Sequence, residues 1–199
     1  MKIRLTTAAL AALLCASCAS SSDSKVTAAD YAPDKAMPKW MAYMTPGPSH
    51  KVLDSKVGTW NLKVTMYNPD GSVQTSDGTS EIAWVMDGRY LQEKVNGSFE
   101  GMNFQGNGTT AFDNLKKKYV YTWFDNMGTG IMTGEGLYDP AHRTFTYYGE
   151  SPDVVKGQYV SSRSVETQVD NNHWRMEAFG LGPDGKEMKM MEIVYTRRT

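Results

Sequence analysis

Three histidines, two cysteines and twenty-two carboxylates are the side chains of this 199-residue chain best able to bind a metal, attack a substrate or move a proton. The histidines stand apart. His50 follows Pro46 and Pro48, His142 lies beside Pro140 in a turn, and His173 follows Asn172 where an apolar run begins. His142 and His173 read as solvated. His50 reads as a side chain that hydrogen-bonds loop backbone and not as a metal or haem ligand. There is no His-Glu-x-x-His, no Walker loop, no glycine-rich dinucleotide turn and no nucleophile elbow. The expected catalytic set, metal site and cofactor are therefore none. Met188, Met190 and Met191 raise the question of copper, since thioethers favour Cu(I). Neighbours on a strand point to opposite faces, so Met190 and Met191 cannot chelate together, and methionine as adaptable core filler is the better reading.

Charges that share a strand face with apolar residues are more informative. Glu135 alternates with Ile131, Thr133 and Leu137, Glu192 with Met188, Met190 and Val194, and Arg163 with Tyr159 and Val165. If those faces point inward, an enclosed Arg–Glu arrangement would be costly unless it served a ligand or an internal water network. If the parity is reversed or bulged, the same charges face solvent. Asp125, Asn126 and Thr129 form a candidate site in a glycine-containing loop, the kind of position that carries function at barrel mouths.

The elements that must position these residues are strands. Trp60, Leu62, Val64 and Met66 alternate with polar residues from Thr59 to Tyr67, and Asn68-Pro69-Asp70-Gly71 turns the chain. Further strands are expected through Ile82, Trp84 and Met86, then Arg89–Phe99, up to Phe112, Tyr119–Phe124, Gly130–Tyr138, Thr144–Gly149, Gln158–Gln168, His173–Phe179 and Met188–Tyr195. Asp87-Gly88 predicts a two-residue hairpin, and Glu100-Gly101 a second tight turn. Roughly ten strands joined by short turns make an antiparallel meander, which must close or leave bare edges. The expected fold is all-β: a closed antiparallel up-and-down barrel. Before it, Met37–Met44 and a segment capped by Ser49 that carries Val52 and Leu53 predict two short helices over one mouth.

The first twenty residues differ from the rest. Lys2 and Arg4 precede an apolar run from Ala8 to Leu14 that is too short to anchor a bilayer span, as in a secretory signal. Leu14-Cys15-Ala16-Ser17-Cys18 resembles a lipobox, with Cys18 the residue that would be lipidated. The expected organisation is a leader over 1–18, a polar tether over 19–36 and one barrel domain over 37–199. Ala19 is not the Asp of an inner-membrane retention signal, so the expected location is the periplasmic face of the outer membrane. If the leader is instead a plain signal cleaved near Ala19 or Ser20, both cysteines are lost and the protein is periplasmic or secreted. With both cysteines in the leader, the domain would have no disulfide. Net charge of −1 and pI near 6.3 give no attraction to nucleic acid, and mean hydropathy of −0.49 excludes an integral membrane protein. Membrane association would run only through the lipid.

Gly58-Thr59-Trp60 at the first strand resembles the Gly-x-Trp signature of lipocalins and other calycins. That resemblance implies that Trp60 closes one barrel end against an arginine at the end of the last strand, Arg197 or Arg198. A broader set, Trp40-Met41 with Thr45-Pro46-Gly47-Pro48-x-His50-Lys51-x-Leu53, Gly58-x-Trp60, Asp87-Gly88-Arg89-Tyr90-Leu91, Tyr119-x-x-Thr122-Trp123-x-Asp125-x-Met127-Gly128-Thr129-Gly130-Ile131 and Gly182-Pro183-Asp184-Gly185-Lys186-Glu187, runs in order from about residue 37 to the end and resembles the bacterial domain-of-unknown-function family 1579. It implies a lipocalin-like barrel and supplies no activity.

Three functions follow as expectations. The first is a binding module holding a small apolar or amphipathic molecule in a cavity lined by Trp84, Tyr121, Trp123 and methionines, with Glu135, Arg163 and Glu192 as polar contacts. The second is a filled barrel acting as a structural or interaction protein of the envelope. The third is an enzyme using Glu135, Glu192 or Asp125 with Arg163.

Overall fold

The computed structural model describes residues 26–198. The leader, Cys15, Cys18 and the first part of the tether lie outside the described residues. Two compact units are present, divided after Pro38. The first holds a 3-10 turn, Ala28–Tyr31, in which the backbone and hydroxyl of Thr27 both donate to Asp30 Oδ2 at 2.8 Å. Helix α1, Pro33–Met44, starts in this unit and runs across the boundary. It begins earlier than the sequence suggests. Pro33 suits the first helical position, where no N–H is needed, and Asp34 favours the positive end of the helix dipole.

The second unit is a closed barrel of ten antiparallel strands, each paired with its neighbour in sequence and the first paired with the last. They are β1 (Gly58–Tyr67), β2 (Val73–Val85), β3 (Tyr90–Phe99), β4 (Met102–Asp113), β5 (Lys118–Asp125), β6 (Met132–Asp139), β7 (Thr144–Asp153), β8 (Gln158–Gln168), β9 (His173–Leu181) and β10 (Glu187–Arg197). Closure leaves no free edge. The Glu100-Gly101 turn has two successive positive φ values, 50° and 78°, the geometry that matches strand twist in a two-residue hairpin. Asp87-Gly88 differs: β2 stops at Val85 and β3 starts at Tyr90, so the connection is a four-residue loop, with positive φ at Met86, Asp87 and Gly88.

One end of the barrel is sealed by the chain that enters it. Helix α2, Pro48–Lys51, continues into a 3-10 turn, Val52–Lys56. The backbone N–H of Gly47 donates to His50 Nδ1 at 3.1 Å, so His50, and not Ser49, closes this helix start. Leu53 drops into the barrel and is fully buried with Trp60, Phe145 and Tyr147. Burying a large apolar side chain contributes about 1.5–3 kcal/mol, so this cluster is the main stabilising core.

Candidate functional site

Trp60 fixes the geometry of the sealed end. Its indole N–H donates to the Lys56 carbonyl at 2.9 Å. The Arg197 guanidinium lies 4.0 Å from its ring centre and donates to the carbonyls of Val57 (2.7 Å), Ser55 (2.8 Å) and Asn171 (3.1 Å). Gly58 sits beside them at φ 139°, where side chains are disfavoured, and a Cβ there would strike the guanidinium. The residue over Trp60 is Arg197; Arg198 instead pairs its backbone N–H with the Thr59 carbonyl. Across the end, the Tyr119 hydroxyl donates to the Ser49 carbonyl at 2.9 Å, and burial pushes its pKa up to about 12.

Inside this end lies a polar cluster that the sequence reading did not identify. The Lys56 ammonium is ion-paired to Glu166 and lies 5.3 Å from the ring centres of both Phe145 and Trp174. Glu93 projects inward from β3 between Leu91 and Val95, and accepts from the Ser80 hydroxyl at 2.7 Å. Although Glu93 keeps part of its residue surface, its carboxyl is enclosed, and burial raises its pKa against the lowering effects of Ser80 and Lys56. Tyr195 bonds the same carboxyl; burial, then the charges of Glu93 and Glu166, push its pKa well above that of a free tyrosine. Beside this cluster is about 20 Å³ open to the centre of a water molecule, lined by Lys56, Glu93, Glu166, Trp174 and Tyr195 among others.

The opposite end is built differently. Met66 on β1, Gln74, Thr75 and Ser76 on β2 and Ser98 and Phe99 on β3 line an open cleft of about 360 Å³ at the mouth, with Glu100 and Gly101 in the turn at its rim. This lies within the size range of small-molecule pockets. Its lining mixes a thioether, an aromatic ring, hydroxyls and an amide. That composition suits a molecule with both apolar and polar parts.

The sequence-selected residues are distributed differently. Trp84 faces inward toward the sealed end, and its indole N–H donates to Asp54 Oδ1 at 2.8 Å. Tyr121 and Trp123 also face inward but pack against the wall: Trp123 lies over Gly106 and Gly108, and Tyr121 over Gly134. None of the three lines the open-mouth cavity. Glu135, Arg163 and Glu192 face outward, so they do not line the interior. Glu135 is paired with Lys116 and Lys118. Arg163 makes a two-pronged pair with Glu187 at 2.8 and 2.7 Å, with its guanidinium 3.9 Å from the Phe179 ring centre. Glu192 accepts from Lys189 at 2.8 Å.

The reversal has a local cause in each case. On β6 the inward positions are Gly134, Gly136 and Tyr138, leaving Leu137 and the preceding Ile131 exposed on the outside with Glu135. On β8 the inward positions are Ser162, Ser164 and Glu166, opposite the face of Arg163. On β10 a bulge between Lys189 and Met191 breaks the two-residue alternation before Glu192. In the loop after β5, Asp125 accepts from the Trp123 indole and the Met127 backbone, while Asn126 accepts from the Gln105 backbone and donates to the Asn103 carbonyl. These bonds hold the loop's shape; Thr129 is exposed beside them.

His50 is buried, and burial, then the nearby Arg89 charge, lower its pKa, in keeping with Nδ1 as an acceptor. Among the described residues no group of three or more His, Cys, Asp or Glu could hold a metal ion, and no helix is long and apolar enough to cross a membrane.

A family profile described as "Protein of unknown function (DUF1579)" matches residues 45–197, from just before α2 to the end of β10. The chain belongs to this family. Two solved structures share a similar barrel fold. Rv2717c from M. tuberculosis superposes with a TM-score of 0.55 at 11% identity, covering 78% of this chain and all of that one. The S-type phycobiliprotein lyase CPES from Guillardia theta gives 0.56 at 11% identity, covering 81% of this chain and 97% of that one. At such identity the likeness is one of fold. No functionally curated protein matches the DUF1579 chain in sequence.

Proposed function

We propose that this DUF1579 protein is a binding module that takes a small neutral or weakly cationic amphipathic molecule into the open mouth of its barrel. The carrying observation is the contrast in volume between the ends: about 360 Å³ at the mouth against about 20 Å³ beside the sealed-end charges. Met66 and Phe99 offer apolar contact, while Gln74, Ser76 and Glu100 offer hydrogen bonds and one negative charge. The likeness to the lyase CPES and to Rv2717c supports a fold compatible with a small ligand and does not name one. Titration with N-phenyl-1-naphthylamine, a neutral fluorescent probe, tests the site. Saturable binding lost in a Ser76→Trp variant supports it, and binding unaffected by that substitution refutes it.

We also propose that the protein is exported and held to the outer membrane by lipid on Cys18. The support is sequence alone: Lys2 and Arg4, the apolar run to Leu14, and small residues before Cys18. Radiolabelled palmitate should enter the protein in cells and fail to enter a Cys18→Ser variant. Equal labelling of both, or labelling of neither, rejects the anchor.

A further inference from the structure

Two buried side chains of the sealed end have polar atoms without a protein partner: Trp174 Nε1 and the Tyr147 hydroxyl. Both residues are nearly inaccessible, Trp174 at 4% and Tyr147 at 1% exposure. Such groups are normally satisfied, because each gives up its bonds to water on folding. Trp174 also lines the 20 Å³ space, together with an ammonium (Lys56), two carboxyls (Glu93 and Glu166) and a phenol (Tyr195). A site for an internal water needs about 10–15 Å³ of this kind of volume and two to four polar partners. Both conditions are met here.

We propose that this space is a built site for one long-lived water molecule, distinct from the mouth cavity and independent of what the mouth binds. The chemistry is specific about its role. Trp174 Nε1 can only donate, so the guest accepts from it. Glu166 is already engaged by Lys56, and Glu93 by Ser80 and Tyr195, yet each carboxyl has further lone pairs toward which the guest can donate. A cation at this position would face the Lys56 ammonium, and a larger solute would exceed the volume. A molecule that both donates and accepts, of the size of water, fits all four requirements.

The test uses the full chain with 15N-labelled tryptophan. Water-selective cross-relaxation is read at the Trp174 indole proton, which is assigned by the loss of its signal in Trp174→Phe. If that variant does not fold, triple-resonance assignment of the wild type replaces it. The expected result is a cross-peak to water with the sign of a molecule resident for longer than the protein's tumbling time. A peak with the sign of freely exchanging solvent, or no water contact at this indole, overturns the proposal. A high-resolution crystal structure gives an independent reading. Density within hydrogen-bond reach of Trp174 Nε1 and one carboxylate supports it; an indole turned onto a protein acceptor overturns it.

Discussion

At the sealed end, Leu53, Trp60, Phe145 and Tyr147 interlock and three backbone carbonyls converge on Arg197; at the mouth, Met66, Gln74, Ser76 and Phe99 surround open volume. The strands are the same ten. What differs is which side chains the inward positions carry and whether another segment plugs the end. Stability is concentrated where chain entry and chain exit meet, with Trp60 near the start of β1 and Arg197 at the end of β10. The comparison teaches that barrel closure and open volume sit at opposite ends of one barrel.

Substitutions at the two ends should separate accordingly. Trp60→Ala should produce the largest change, a loss of about 3–5 kcal/mol in denaturant unfolding, because it removes a fully buried indole and the surface on which Arg197 rests. Arg197→Met keeps much of the stem packing but loses the bonds to Ser55, Val57 and Asn171. A loss of roughly 2–3 kcal/mol is expected, since hydrogen bonds from charged groups are worth more than neutral ones. At the mouth, Ser76→Trp should change stability by less than about 1 kcal/mol while weakening probe binding at least about tenfold, or ~1.4 kcal/mol. Glu135→Gln on the outer wall should move stability by no more than about 0.5 kcal/mol, because exposed ion pairs contribute little. A loss at Ser76 comparable to that at Trp60 would erase the distinction between the ends.

A pH dependence tests the sealed end alone. The folded-state pKa of Glu93 lies above its unfolded value, chiefly through burial, so the folded protein holds this proton more tightly. The stabilising contribution of the neutral acid is full below the unfolded pKa and is lost as pH rises through the folded one. Glu93→Gln imitates the neutral acid. Its unfolding free energy should show less decline with rising pH than the wild type across that window, while probe binding at the mouth stays unchanged. Parallel pH profiles for the two proteins would contradict the enclosed, neutral Glu93.

Much of this fold was legible because antiparallel strands advertise themselves twice, by alternation and by turn chemistry. Trp60, Leu62, Val64 and Met66 gave β1 its inward face, and Glu100-Gly101 set a hairpin whose φ values followed. The site was less legible. The usual rule assigns the apolar face of a strand to the interior, and on β6 that rule picks Leu137 and Glu135. The true interior there is Gly134 and Gly136, because the Tyr121 ring lies where a Cβ at Gly134 would go. A bulge did the same to β10. The inward charge that could have been found is Glu93, placed between Leu91 and Val95 on a strand whose alternation is clear. Its partners were not readable locally: Lys56 comes from the plug and Glu166 from five strands away, and only closure brings them together. The mouth cleft escaped for a related reason, since eight unremarkable residues from three strands and the Glu100-Gly101 turn line it.

Hydrogen–deuterium exchange of the full chain, with and without saturating N-phenyl-1-naphthylamine, tests the division of the barrel most directly. The account predicts added protection over residues 66–76 and 98–102, with none over Val52–Lys56 or the loop at residues 114–117. Protection centred on the sealed end, or spread evenly over all ten strands, would contradict it.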